Sequence, residues 1–140
     1  MNPLTKLFLA GNVFIFRATG GKVGSSMFGG RVLLLTTKGS KSGKDRTVPL
    51  MYFEDGANRV VIGSAGGSPT DPAWFRNLRR DPTVTVETKG RRYRADAVIA
   101  TGDERTRIWS KVVTEQPRFA DYAKKAPGRE IPVVILRDTN

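Results

Sequence analysis

The stretch Arg31-Val32-Leu33-Leu34-Leu35-Thr36-Thr37-Lys38-Gly39-Ser40-Lys41-Ser42-Gly43-Lys44-Asp45-Arg46-Thr47-Val48-Pro49-Leu50-Met51-Tyr52 decides how the rest of the chain reads. Its two flanks are rich in β-branched and aliphatic residues, which predicts two strands joined by a loop. The loop holds lysines, an arginine, two serine hydroxyls and two glycines that let backbone approach a ligand closely. Such a loop can hold a phosphate or carboxylate through charge-assisted hydrogen bonds. It is not a Walker loop. Gly39 and Gly43 are one residue too close, Asp45 stands where Ser or Thr is needed, and a strand follows instead of a helix. A solvated turn whose lysines protect a strand edge is the plainer alternative.

Working outward, 140 residues fit one domain with room for a core. The chain has no cysteine and no histidine. That excludes disulfides, thiolate nucleophiles, imidazole bases and the commonest metal ligands, so no metal site is expected. Chemistry must come from carboxylates, lysine, tyrosine or a borrowed cofactor. Twenty-four Lys and Arg against thirteen Asp and Glu give a net charge of +11, which attracts polyanions without choosing among them.

Residues 1–30 form the N-terminal part of the expected organisation, an amphipathic helix and a flexible joint, and 31–140 form the second. Leu4, Leu7, Phe8, Ile15 and Phe16 fall near helical spacing, with Gly11 and Asn12 as weak points. The segment is too short and interrupted to span a membrane and has no small-residue cleavage site. Packing on the domain is its plain use; peripheral membrane contact is the other. Gly20-Gly21 and Gly29-Gly30 bracket the joint.

Beyond the hairpin, Arg59 to Gly63 reads as a third strand running into Ser64-Ala65-Gly66-Gly67-Ser68-Pro69. Asp71-Pro72 reads as N-cap and first turn of a helix through Trp74, Phe75, Asn77 and Leu78. Thr83–Thr88 and Arg91–Ala100 alternate as a hairpin. Thr101 and Glu104 have capping-box spacing before a helix that Pro117 ends, a short helix holds Phe119 and Tyr122, and Ile131–Leu136 is a final central strand. Six strands with short turns and intervening helices predict a mainly β, α+β architecture: a small antiparallel β-barrel flanked by helices.

In order along the chain, these residues resemble the deazaflavin-dependent nitroreductase family, oxidoreductases that use coenzyme F420. The resemblance rests on Leu34-Leu35-Thr36-Thr37, Gly39-Ser40-Lys41-Ser42-Gly43, Arg46 with Pro49-Leu50, and Ser64-Ala65-Gly66-Gly67. It continues through Pro72-Ala73-Trp74-Phe75-Arg76-Asn77-Leu78, Asp81-Pro82 and Arg129-Glu130-Ile131-Pro132-Val133-Val134. It implies a split, FMN-binding-like β-barrel and hydride transfer from reduced F420 to an electron-poor small molecule such as a quinone, activated enone or nitroaromatic. Implied coenzyme contacts are Ser40, Lys41 and Ser42, then Arg46, Thr47, Val48, Pro49, Leu50 and Met51. They continue with Ile62, Gly63, Ser64 and Ala65, then Ala73, Trp74, Phe75, Arg76 and Asn77. The basic loop suits a phosphate and oligoglutamate tail, and the absent histidine and cysteine fit a reaction whose chemistry the cofactor carries.

Two departures matter. Many relatives have lysine where this chain has Ala65. Positions that are tyrosines in nitro- and quinone-reducing members are Gln116, Phe119 and Tyr122 here, so Tyr122 alone keeps a hydroxyl for orienting substrate or donating a proton, beside Ser64. The resemblance implies a cytoplasmic enzyme with a small-molecule substrate and no nucleic-acid partner. The rival reading is a basic barrel binding single-stranded nucleic acid through Arg76, Arg79, Arg80, Lys89, Arg91, Arg92 and Arg94, with Tyr93 interleaved.

Overall fold

The computed structural model describes residues 3–21, 26–27 and 30–139, with side chains of 3–10 and 26–27 outside the described set. The expected places of the Leu4, Leu7 and Phe8 side chains, and of Gly29, lie outside it. The elements run α1 (Pro3–Ala18), β1 (Ser26–Met27), β2 (Gly30–Lys38), β3 (Asp45–Asp55), β4 (Asn58–Ile62), a 3-10 turn (Ala65–Gly67) and α2 (Ala73–Arg80). Then come β5 (Thr83–Thr88), β6 (Arg91–Ile99), α3 (Gly102–Glu115), α4 (Arg118–Lys125) and β7 (Val133–Asp138). All six expected strands form, and β7 is central, between β4 and β6.

The sheet order is β1-β2-β3-β4-β7-β6-β5, and β2 also pairs with β5, which closes a six-stranded antiparallel barrel. Strand alternation sorts its side chains. Leu33, Leu35, Val61, Val84, Val86, Tyr93, Ala95, Val134 and Leu136 fill the interior with Trp74, Phe75 and Leu78 from α2. The opposite faces of β4 and β7, with Val60, Ile62, Val133 and Ile135, meet Ile108, Val112 and Phe119 of α3 and α4. Each fully buried Leu or Ile contributes about 1.5–3 kcal/mol of burial free energy. These two apolar layers hold the fold.

Helix α1 docks through its C-terminal end. Phe16 is buried, Arg17 pairs with buried Glu87 at 2.8 Å, and the Gly90 N–H donates to the Gly20 carbonyl at 2.9 Å. Packing on the barrel is therefore observed. No helix among the described residues is long and apolar enough to cross a membrane.

Two helix starts differ from expectation. Asp71 does not cap α2; Pro72 takes the N-cap position, and no side chain caps the helix. At α3, Thr101 is the N-cap residue, but its side chain makes no cap bond, so the expected capping box is not formed.

Candidate functional site: a split edge beside a moored basic loop

The barrel has a seam. Along β3, residues 45–52 pair with β2, but only residues 52–55 pair with β4. Strand β4 ends at Ile62 and pairs onward with β7, so β3 and β4 part at Tyr52 and Val61. Residues 45–51 therefore have a sheet partner on one side only. Pro49 lies in this half, as a residue that cannot donate to a ladder should. Val48 and Leu50 pack partly buried against the interior cluster that includes Trp74 and Phe75. The result is an apolar-backed strand edge with unpaired backbone polar groups.

At the start of that edge stands the basic loop. Lys38 and Asp45 close its base at 2.8 Å, and the Gly39 N–H donates to the Lys44 carbonyl at 2.8 Å. The Lys38 ammonium holds the Asp45 carboxyl below the usual carboxylate range, so the pair is lost only on acidification through that lowered value. Gly43 takes φ +69°, a left-handed conformation that glycine supplies without steric cost. Helix α2 fixes the loop from the side: the Ser40 N–H donates to Asn77 Oδ1 at 3.0 Å, and Arg80 donates to the Ser40 carbonyl at 2.8 Å. Asn77 Nδ2 completes the clamp by donating to Thr37 Oγ1 at 3.1 Å.

The backbone is thus moored while the cations are left outside. Lys41, Ser42, Lys44 and Arg46 are exposed, and no ion pair among the described residues takes Lys41, Lys44 or Arg46. A depression of about 420 Å³ runs between the loop and Arg80. It shares Lys38 and Asp81 with a wider polar groove of about 720 Å³ lined by Arg92 and Arg94. Unpaired cations over a fixed backbone suit a flexible anionic chain.

Across the seam from β3 lies Ser64–Ser68. Ser64 is buried, and its carbonyl accepts from the Gly67 N–H at 2.9 Å. Ala65 has φ +48°, the one left-handed non-glycine residue among those described. Ala73 and Arg76 are exposed on α2, whereas Trp74, Phe75 and Asn77 are buried. Of the four expected coenzyme segments, the structure ties the basic loop directly to α2 through Asn77 and Arg80. Asn77 and Phe75 face inward, into the loop clamp and the core.

The expected substrate residues adjoin one another but differ in burial. Phe119 is enclosed in the second core, edge-on to Phe53 at 5.6 Å and to Tyr122 at 5.4 Å. Tyr122 is half-buried on α4, which packs on the 3-10 turn so closely that a Cβ on Gly67 would lie 3.1 Å from the Tyr122 carbonyl oxygen. Gln116 terminates α3, half-buried. Sequence reasoning missed one residue of the seam. Arg129, quoted only as part of a motif, sends its buried guanidinium under Ser64–Ser68. Nothing in its local sequence pointed to this role, because the contact spans 65 positions.

The nucleic-acid reading loses its aromatic. Tyr93 is buried in the barrel with Arg91 at 4.2 Å and Arg59 at 5.5 Å from its ring, so it offers no face to a base. Burial pushes its phenol up, and Arg59 partly offsets the shift.

A closed six-stranded barrel, split along one strand and carrying a fixed cationic loop at the seam, defines a split barrel suited to an anionic ligand. Comparison with known proteins narrows that class. Residues 10–138 match the F420H(2)-dependent quinone reductase family. The F420H(2)-dependent quinone reductase Rv1261c of Mycobacterium tuberculosis is 34% identical over 127 residues, 87% of this chain and 84% of that protein. The solved F420-H2 dependent reductase FDR-A is 37% identical, with TM-score 0.69, over 76% of this chain and 93% of that one. At 14% identity, a FAD-binding protein of Mesorhizobium loti shares the fold alone, with TM-score 0.54 over 79% of this chain and 80% of that one.

The chain belongs to the F420H(2)-dependent quinone reductase family. It is an oxidoreductase whose coenzyme is F420 and whose reaction is hydride transfer from the reduced coenzyme to quinones. The donor set fits that coenzyme: an apolar-backed strand edge for a planar ring, and unpaired cations for a phosphate and carboxylate tail.

Proposed function

We propose that the seam is where F420 binds, with the basic loop holding its anionic tail and the β3 edge, Ser64 and Ala65 meeting its ring. The single observation that carries this reading is the unpaired half of β3 standing between the moored loop and the Ser64–Ser68 turn. Reduced F420, when bound, supplies the hydride. The protein's own residues position it: Lys41 and Arg46 attract the tail, Val48, Pro49 and Leu50 with Ile62, Ala73 and Trp74 exclude water from one side, and Ser64 orients the polar edge. Ser42, Thr47, Met51, Gly63 and Arg76 complete the rim.

The quinone is taken beside Ser64 and Tyr122. Tyr122 orients it and offers a proton to the oxygen that gains charge, while Gln116 borders the opening. Phe119 supports Tyr122 from the core. We place residues 31–140 as the coenzyme-binding barrel and 1–30 as an accessory helix and joint, acting in the cytoplasm.

Oxidation of the reduced coenzyme is followed anaerobically by its visible absorbance with menadione, an activated enone and a nitroaromatic in parallel. Turnover of menadione, slowed in Tyr122→Phe, is expected; failure to oxidise the coenzyme with any acceptor would refute the function.

One observation supports membrane contact. Phe14 and Ile15 on α1 are 72% and 44% exposed, unlike the docked Phe16. An apolar edge of a basic helix can rest in a lipid surface, where lipophilic quinones reside. Liposome flotation should be lost in a Phe14→Glu, Ile15→Glu variant; equal behaviour of variant and wild type would rule the contact out.

A further inference from the structure

Arg129 lies between α4 and β7 with a side chain 9% exposed. One terminal nitrogen donates to the Gly63 carbonyl at 2.9 Å and to Asp71 Oδ1 at 2.6 Å. The other donates to the Ser64 carbonyl at 2.7 Å, and Nε donates to the Ser68 carbonyl at 3.1 Å. Three carbonyls of residues 63–68 and the Asp71 carboxylate are thus gathered on a single guanidinium. Lysine, a point donor without a fork, cannot reproduce that pattern.

The consequence lies on the opposite side of the turn. In a trans peptide, the carbonyl and the next N–H point in opposite directions. Drawing the Gly63 and Ser64 carbonyls onto Arg129 therefore turns the Ser64 and Ala65 N–H groups away from it. Ser64 is right-handed (φ −69°, ψ −36°), whereas Ala65 (φ +48°) and Gly66 (φ +63°) are left-handed. Such a right-to-left sequence makes successive amides converge into a concavity for an oxygen. The N–H groups of Ser64, Ala65 and Gly66 make no hydrogen bond among the described residues, whereas those of Gly67 and Ser68 close the turn onto Ser64 and Ala65. A left-handed alanine persists only where its surroundings over-determine it. Arg129 supplies that constraint.

We propose that Arg129 is a positioning residue for the coenzyme site: acting through the backbone, it presets the Ser64, Ala65 and Gly66 amides to receive a carbonyl or anionic oxygen of the coenzyme. This rests on the seam being the F420 site. Arg129 itself is not a coenzyme ligand, because four of its five N–H donors are spent on protein oxygens.

Arg105 provides the internal control. It too is largely buried, donating to the Ile131 carbonyl at 2.6 Å and pairing with Glu130 at 3.1 Å, so it anchors α3 to the chain just after Arg129 but makes no bond to Ser64–Ser68. Coenzyme fluorescence titrations and circular-dichroism melts are run on wild type, Arg129→Met, Arg129→Lys, Arg129→Ala and Arg105→Met. Arg129→Met and Arg129→Lys are expected to bind F420 at least about tenfold more weakly at temperatures where they remain folded. Their KM for coenzyme rises while the KM for quinone stays near wild type. Millimolar guanidinium restores binding to Arg129→Ala, and Arg105→Met melts lower with unchanged affinity. Arg129→Lys keeps the charge and carries the test if Arg129→Met does not fold. Folded Arg129 variants that bind as wild type does would overturn the proposal, as would losses matched by Arg105→Met. Wild type that binds no F420 would overturn the coenzyme site and this inference together.

Discussion

Asn77 shows how much of the site is decided by single side chains that never reach its surface. Its amide is buried and spends both ends on the loop, accepting from the Ser40 N–H and donating to Thr37. Asn77→Ala strands the buried Thr37 hydroxyl and releases the half-buried Ser40 amide, a loss of about 1–3 kcal/mol. Urea unfolding should show that loss, and coenzyme affinity should fall with it because the loop comes off α2. An unchanged midpoint would mean that Arg80 alone moors the loop. In sequence, Asn77 reads as a residue near the coenzyme, and the structure gives it a place behind the loop. Asp71 reads as a helix cap by its local pattern, yet Arg129, 58 positions away, takes its carboxylate. Local patterns name residue types well; they cannot name partners supplied by a distant segment of the chain.

At the scale of elements, apolar patterning was enough to read all six barrel strands: a period of two survives in Val84-Thr85-Val86, whereas the unbroken apolar run Val133-Val134-Ile135-Leu136 marks a central strand buried on both faces. The seam was not legible. It depends on β4 leaving β3 at Val61 to follow β7, a pairing between segments far apart in the chain. Contact of α4 with the Ser64–Ser68 turn is equally hidden, although its cause is one residue. Gly67, at φ +86°, leaves room where a Cβ would stand 2.8 Å from Lys125 Cβ. Gly67→Ala must therefore push α4 outward and strain the turn, at a cost of about 1–3 kcal/mol. The variant should melt lower and lose quinone turnover more than coenzyme binding, since α4 carries Tyr122. Equal losses in both would place the turn, not the helix, at fault.

The molecule as a whole carries +11 charges, and their arrangement matters more than their sum. Several are consumed: Arg17 on Glu87, Arg107 on Asp55, Arg31 on Glu54 and Arg129 on Asp71. Those around the basic loop remain available to a ligand, beside Arg80 and near Arg92 and Arg94. Composition announced a polyanion partner without choosing it; the structure puts the unspent cations next to the split edge. Coenzyme affinity should therefore fall as salt rises, since interactions among exposed charges are screened within about 8–10 Å at physiological ionic strength. The most direct measurement is a fluorescence titration of F420 against wild type, a Lys41→Ala, Arg46→Ala double variant, and Arg107→Ala as a charge control away from the seam, at low and high salt. The account predicts saturable, salt-sensitive binding that weakens at least about tenfold, or about 1.4 kcal/mol, in the double variant and stays unchanged in Arg107→Ala. Folded wild type that fails to bind, or a double variant that binds as well as wild type, would contradict it.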